Sequence, residues 1–144
     1  MKVRNLIGPR QGVFSIREDD SVHDAARYLR EHQIRAVGVV DAQGRVAGVV
    51  SQSDVSDKVA AENKCPAWMK VSEIMTRSTI SVGLEATLDE CVLLMEKNGI
   101  FHLLVIDEKE GFRGMISVQD LLRILANNEK ERADLLEAMM FPQH

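Results

Sequence analysis

One eight-residue pattern is written twice in this chain, as GVVSQSDV at Gly48 to Val55 and as GMISVQDL at Gly114 to Leu121. The copies stand 66 residues apart, and at that offset Ser15 to Asp54 lies over Ser81 to Asp120 without a gap. Seven of these forty positions are identical: Ser15/Ser81, Ile34/Ile100, Val39/Val105, Asp41/Asp107, Gly48/Gly114, Ser51/Ser117 and Asp54/Asp120. Most of the others keep apolar over apolar. Upstream, Lys2-Val3 matches Lys70-Val71 only after a shift of two residues, so the first copy carries a slightly longer loop near Gly8-Pro9. A repeat of this length, present twice, predicts two copies of one supersecondary unit, each too small to bury its own apolar face.

Each copy has the same order of elements. Val13-Phe14-Ser15-Ile16 and Thr79-Ile80-Ser81-Val82 are short β-prone runs. Ser21-x-x-Asp24 and Thr87-x-x-Glu90 then precede helical spacing, with Val22, Ala25, Ala26 and Leu29 in the first copy and Leu88, Cys91, Val92 and Met95 in the second. A hydroxyl there caps exposed backbone N–H groups, and the acid suits the positive end of the helix. Ala36 to Val40 and His102 to Ile106 are near-continuous apolar runs of the kind that form strands covered on both faces. Turn chemistry follows at Asp41 to Gly44 and Asp107 to Gly111. Third strands run over Arg45 to Val50 and Phe112 to Ile116, and Ser51 and Ser117 open second helices. The predicted order is β-α-β-β-α, twice. The helix beyond Asp54 is expected to reach Glu62 and to stop at Asn63 to Pro66. After the second copy, Val118 to Met140 reads as one long helix or two. Its polar middle leads to an apolar tip, Leu135 to Phe141, expected to dock on a neighbouring subunit or a partner. The chain therefore divides at 1–64, 65–126 and 127–144, the last a helical tail.

Composition narrows the function. Hydrophobic residues make up 45% of the chain but aromatics only 4%, so the core must be aliphatic. A net charge of −4 argues against nucleic acid or a membrane surface as partner, since both need clustered Lys and Arg. The two cysteines, Cys65 and Cys91, stand far apart and read as reduced thiols. The first residues hold no apolar run suited to a signal peptide, and no stretch approaches a membrane span. The expectation is a soluble cytoplasmic protein. The cysteines and four histidines show no metal-ligand spacing, and neither a GxSxG elbow nor a phosphate-binding GxxxxGK[ST] loop occurs, so no catalytic constellation is in view. Trp68 is expected to cover the junction between the repeats, and His144 to lie at a frayed terminus.

Taken alone, Ser51-x-x-Asp54 and Ser117-x-x-Asp120 are helix caps. Their setting adds something. Each follows a buried strand directly, which puts a hydroxyl, backbone N–H groups and a carboxylate at the carboxyl end of a strand, where α/β folds tend to bind ligands. The carboxylate can accept hydrogen bonds from both hydroxyls of a ribose, and the helix start favours an anion. A nucleoside phosphate offers both.

The ordered strings VSEIMTRSTISV, IFHLLVID and GMISVQDLL, with weaker first copies FSIREDDSVHDA, IRAVGVVD and GVVSQSDV, resemble a tandem pair of CBS (cystathionine β-synthase) domains over about Val3 to Leu125. That resemblance implies a mixed α/β (α+β) fold: two β-α-β-β-α units packed around a pseudo-two-fold axis, with a C-terminal helix, commonly assembled as a homodimer. It implies a regulatory module rather than an enzyme. Such a module binds AMP, ADP, ATP or S-adenosylmethionine in clefts between the repeats and signals occupancy to a protein partner. By position, Asp54 and Asp120 match the ribose-binding acid, and Ser51 and Ser117 the hydroxyl that begins the same turn. Phe14, Ser15, Ile80 and Ser81 match the strand lining the adenine, and Ile34 and Ile100 the aliphatic wall of that pocket. Arg35 and His102 fall where basic groups often meet phosphate; His102 reads equally as a core histidine, and Arg35 reads slightly more readily as a solvated helix-end residue. Gly38 and Leu104 replace a proline usual in the family, and Ala36 and Phe101 replace a second basic residue, which weakens the case for a triphosphate. The second copy keeps more of the pattern and is expected to bind more tightly. The competing expectation is a ligand-free dimerisation module acting through its C-terminal helix.

Overall fold

A computed structural model of the chain describes residues 1–9, 12–127 and 129–140. It divides into two compact units. The first is Phe14–Thr79; the second joins Met1–Val13 to the chain from Ile80 onward.

In the first unit, β1 (Ser15–Arg17), β2 (Ala36–Val40) and β3 (Val46–Ser51) form a sheet in the order β1-β2-β3, with β1 parallel and β3 antiparallel to β2. Helix α2 (Val22–His32) crosses between β1 and β2. The chain leaves β3 through a short helix α3 (Gln52–Val55), which runs into a π-helical turn over Ser56–Ala60. In the second unit, β4 (Ser81–Val82), β5 (His102–Asp107) and β6 (Gly111–Ser117) repeat that topology, with α4 (Leu88–Asn98) as the crossover and α5 (Val118–Asn127) leaving β6. The register repeats as well. Ser15 pairs Gly38 as Ser81 pairs Leu104, and both antiparallel ladders carry an irregularity at the same place, between Val39 and Val40 and between Val105 and Ile106. Two three-stranded sheets with helices, in the order β-α-β-β-α twice, are the mixed fold that the sequence implies.

The crossover helices start and stop for matching reasons. Ser21 Oγ accepts the Asp24 N–H at 3.0 Å, and Thr87 Oγ1 accepts the Glu90 N–H at 3.2 Å. Each helix ends on a left-handed residue, Gln33 (φ 55°) and Gly99 (φ 61°). Glycine takes this conformation without strain, so Gln33 is the costlier of the two. The inward faces, Val22, Ala25 and Leu29 in α2 and Leu88, Cys91, Val92 and Met95 in α4, bury against the central strands. Burying a Leu88-sized side chain contributes roughly 2–3 kcal/mol.

Each unit is completed by a segment that precedes the other repeat. Ahead of the first repeat, helix α1 (Val3–Ile7) belongs to the second unit: the N–H groups of Val3 and Arg4 donate to the carbonyls of Ala86 and Leu84 at 2.8 and 2.9 Å, and Leu88 N–H donates to Met1 O at 3.1 Å. Ahead of the second repeat, Pro66–Trp68 and Val71–Glu73 form single 3₁₀ turns within the first unit, with matching bonds: Val71 and Ser72 N–H to Asp20 and Glu18 O at 2.8 and 2.9 Å, and Val22 N–H to Met69 O at 2.8 Å. Val3 and Val71 are both fully buried. Lys2 and Arg4 hold the exposed Glu85, and these bonds lower its pKa. The boundaries at 64 and 126 follow the sequence repeat, whereas the compact units exchange their leading segments.

Other outcomes differ from the sequence. Trp68 is 86% exposed and covers nothing, because the 3₁₀ turn holding it points its ring outward. The tail is a second helix, α6 (Glu129–Met140), packed on α4 and α5. Leu135, expected in a docking tip, is instead fully buried in the second unit's own core, while Leu136, Met139 and Met140 face outward. Phe141 and His144 lie outside the described residues.

Gly48 shows why the first copy of the pattern opens on glycine. The edge of β3 pairs with Thr76 through Val49 N–H to Thr76 O at 2.9 Å and the reverse bond at 2.8 Å. A Cβ at Gly48 would sit 2.6 Å from Thr76 O. Gly48→Ala is expected to lower stability by about 2 kcal/mol in urea unfolding, since the obstacle is backbone. Gly83→Ala, whose Cβ meets nothing within 4 Å, should stay within about 0.5 kcal/mol. In the second unit, burial, with lesser contributions from Glu90 and Asp89, pushes the Cys91 thiol up to about 12, while Cys65 is exposed. Near neutral pH the native chain should therefore yield one thiol to a chromogenic disulfide reagent, and two after denaturation.

Candidate functional site

At the end of β6 the chain turns straight into α5, and Ser117 and Asp120 bind each other across that turn. Ser117 N–H donates to Asp120 Oδ2 at 2.8 Å, Ser117 Oγ lies 3.1 Å from the same oxygen, and Asp120 N–H donates back to Ser117 Oγ at 3.2 Å. The next amide, Val118 N–H, donates to Phe101 O at 3.0 Å. Orphan donors at the helix start are thus met by the protein itself. The other carboxylate oxygen, Oδ1, stands 3.6 Å from the largely exposed Arg123 guanidinium.

The first unit repeats the cap. Ser51 N–H and Oγ approach Asp54 Oδ2 at 2.9 and 3.1 Å, Asp54 N–H returns to Ser51 Oγ at 3.2 Å, and Gln52 N–H donates to Arg35 O at 2.9 Å. Its Oδ1 differs: Lys58 Nζ sits 2.9 Å away and donates a further bond to Ile74 O at 2.8 Å. Both aspartate side chains are largely buried, with 10% of Asp54 and 14% of Asp120 exposed.

Asp120 also forms part of the wall of an open cavity of about 250 Å³ within the second unit, together with Met1, Leu6, Arg123, Ile124 and Asn127. Of the twelve residues singled out from the sequence, Asp120 is the one in that lining. His102 is close by in register, directly opposite Ser117 across the β5–β6 ladder and half-buried. Its counterpart, opposite Ser51, is Ala36. Ile100 and Ile80 pack at the edge of the second unit's core, with Ile80 O accepting Leu104 N–H at 3.1 Å, and Ser81 is exposed beside them. In the first unit Ile34 packs on the core, Ser15 is half-buried in β1, and the Arg35 side chain is exposed. Phe14 is half-exposed and lies against His32 and Tyr28, with ring centroids 4.7 and 6.3 Å away. Met1, Leu6 and Ile124 were missed by residue reading. The shifted match of Lys2-Val3 to Lys70-Val71 was the signal that the leading segment belongs to the repeat.

Among the described residues no group of three or more His, Cys, Asp or Glu is placed to hold a metal ion, and no helix is long and apolar enough to cross a membrane.

Comparison with known proteins extends these observations. The sequence profile of the CBS domain matches residues 3–61 and 71–127. The mitochondrial CBS domain-containing protein CBSX3 of Arabidopsis thaliana is 32% identical over 83% of this chain, and the chain spans 60% of that relative's length. Among solved structures, a CBS-domain protein from Burkholderia ambifaria is similar with a TM-score of 0.80 at 28% identity, covering 89% of this chain and 96% of that one. The CBS domain pair of protein MJ0100, in complex with 5′-methylthioadenosine and S-adenosyl-L-methionine, has a TM-score of 0.77 at 25% identity, covering 88% and 96%. The doubled unit, its repeated caps and the two profile matches agree: this chain belongs to the CBS domain family and carries the domain twice.

Proposed function

We propose that this CBS pair is a regulatory module, not an enzyme, that binds an adenosyl ligand of the AMP, ADP, ATP or S-adenosylmethionine class at Asp120. The observation that carries the reading is a carboxylate fixed at a strand-to-helix junction and set in the wall of an open cavity. Because Oδ2 is held by Ser117, the carboxylate is already oriented, and binding need not order it. Oδ1 stands 3.6 Å from the largely exposed Arg123, a pair that solvent screens. His102, whose register partner is Ser117, is the basic residue proposed to meet a phosphate or carboxylate of the ligand. The self-capped helix start limits what the backbone offers a long phosphate chain, which favours one phosphate or none. The likeness to a CBS pair bound to 5′-methylthioadenosine and S-adenosyl-L-methionine supports the same class. A homodimer that reports occupancy to a protein partner in the cytoplasm completes the proposal.

A second reading, assembly through the tail without ligand, draws on the outward Leu136, Met139 and Met140 of α6.

Calorimetric titration with AMP, ADP, ATP, S-adenosylmethionine and 5′-methylthioadenosine separates the two. At least one should bind, and Asp120→Asn should weaken it tenfold or more. Heat from none of the five, or an unchanged affinity in Asp120→Asn, would overturn the proposal. Ser117→Ala should cost about 1 kcal/mol of stability without ligand, which sets the capping contribution apart from binding.

A further inference from the structure

The leading segments that complete the two units meet different surroundings. In the first unit, Lys58 Nζ donates to Ile74 O at 2.8 Å and ties the helical run after β3 to the segment around the 3₁₀ turn Val71–Glu73. Ile74 itself is 2% exposed. In the second unit the counterparts of both residues border the open cavity: Ile124, at the 66-residue offset from Lys58, and Leu6, which the match of Lys2-Val3 to Lys70-Val71 sets over Ile74. The cavity wall is thus built from two elements, with Asp120, Arg123, Ile124 and Asn127 from α5 and Met1 and Leu6 from the leading segment. Three apolar side chains together with a carboxylate and a guanidinium suit a molecule with one apolar and one polar end.

Helix α1 has five residues, too few to persist as a helix by themselves, so it forms where the second unit holds it. It is held by the buried Val3 and Ile7, by the bonds of the Val3 and Arg4 N–H groups to Ala86 and Leu84 O, by Leu88 N–H on Met1 O, and by the exposed pairs of Lys2 and Arg4 with Glu85. Exposed pairs add little. Elements secured by few groups open locally before the rest of a fold does, and a ligand that favours the closed form shifts that equilibrium.

We infer that α1 reports occupancy of the Asp120 cavity: an adenosyl ligand seated there lies against Met1 and Leu6 as well as α5, holds α1 closed on the second unit, and binds more weakly when α1 is loosened. The inference rests on the proposed role of Asp120. The coupling is reciprocal, because whatever the ligand adds to the seating of α1, that seating adds to the affinity. Past Ile7 the chain runs on to β1, so the element that senses the ligand is also a covalent link to the other repeat.

Amide hydrogen exchange of the full chain, resolved by NMR, tests this with S-adenosylmethionine, AMP and 5′-methylthioadenosine as probes. Without ligand, the Val3 and Arg4 amides should exchange faster than those of β5, through local opening. At saturation with a probe that binds, they should slow by about fivefold or more, and Asp120→Asn at the same concentrations should show no slowing. Conversely, Val3→Ala, a buried position outside the cavity wall, should weaken calorimetric affinity by about fivefold or more. A bound probe that leaves the Val3 and Arg4 amides unchanged or faster would overturn the inference and leave the reading of Asp120 standing. So would α1 amides that open no sooner than β5, or a folded Val3→Ala with native affinity. If Val3→Ala does not fold, exchange in the native chain decides alone. If none of the three probes binds, the reading of Asp120 falls and the inference with it.

Discussion

The reciprocal bonds between serine and aspartate where β3 meets α3 and β6 meets α5 govern much else in this protein. A strand that passes into a helix without a loop exposes several backbone N–H groups at once. Here the aspartate takes the first, the serine hydroxyl takes the one three residues on, and a carbonyl of the neighbouring strand segment takes the one between. The cost of so abrupt a turn is met mainly by the serine and aspartate themselves, with one bond from the segment before the central strand. The same bonds use one carboxylate oxygen and fix the direction of the other. In the first unit that second oxygen meets Lys58 at 2.9 Å, and in the second it stands 3.6 Å from Arg123 beside a cavity.

The exchanged leading segments explain why the repeat is read imperfectly at its start. The strings that precede β1 and β4 do not continue their own repeat in space; each supplies two buried valine-class positions and a set of backbone bonds to the other. The two-residue shift at Lys2-Val3 falls in the link between each segment and its own first strand, near Gly8-Pro9 in the first copy. Gly48 records the fit from the other side, since its missing Cβ is the space that Thr76 needs.

Much of the fold was legible because it rests on short-range rules. Ser21 and Thr87 mark helix starts by hydroxyl chemistry, Gly99 marks a stop by its left-handed backbone, and Val37 to Val39 and Leu103 to Val105 mark central strands by unbroken apolar character. Helix α1 was not legible: its Val3 and Ile7 bury in a unit whose other residues lie some eighty positions away, which no local periodicity reports. Trp68 misled because a large aromatic usually buries area, yet a proline-led 3₁₀ turn left it outside. At the site, Asp120 could be singled out from spacing, but its cavity neighbours Met1 and Leu6 come from the exchanged segment. The contact between Lys58 and Asp54 depends on a distance of 2.9 Å that letters do not carry.

Trading of the straps makes each half a debtor to its sister. A gene cut between residues 64 and 65 would yield one piece holding a strap for a body it lacks, and another holding the reciprocal strap. Neither piece could close its own interior, yet mixed together the two hold every strap and every body. The doubled unit is thus a molecule that can be split in sequence only by asking its fragments to find each other again.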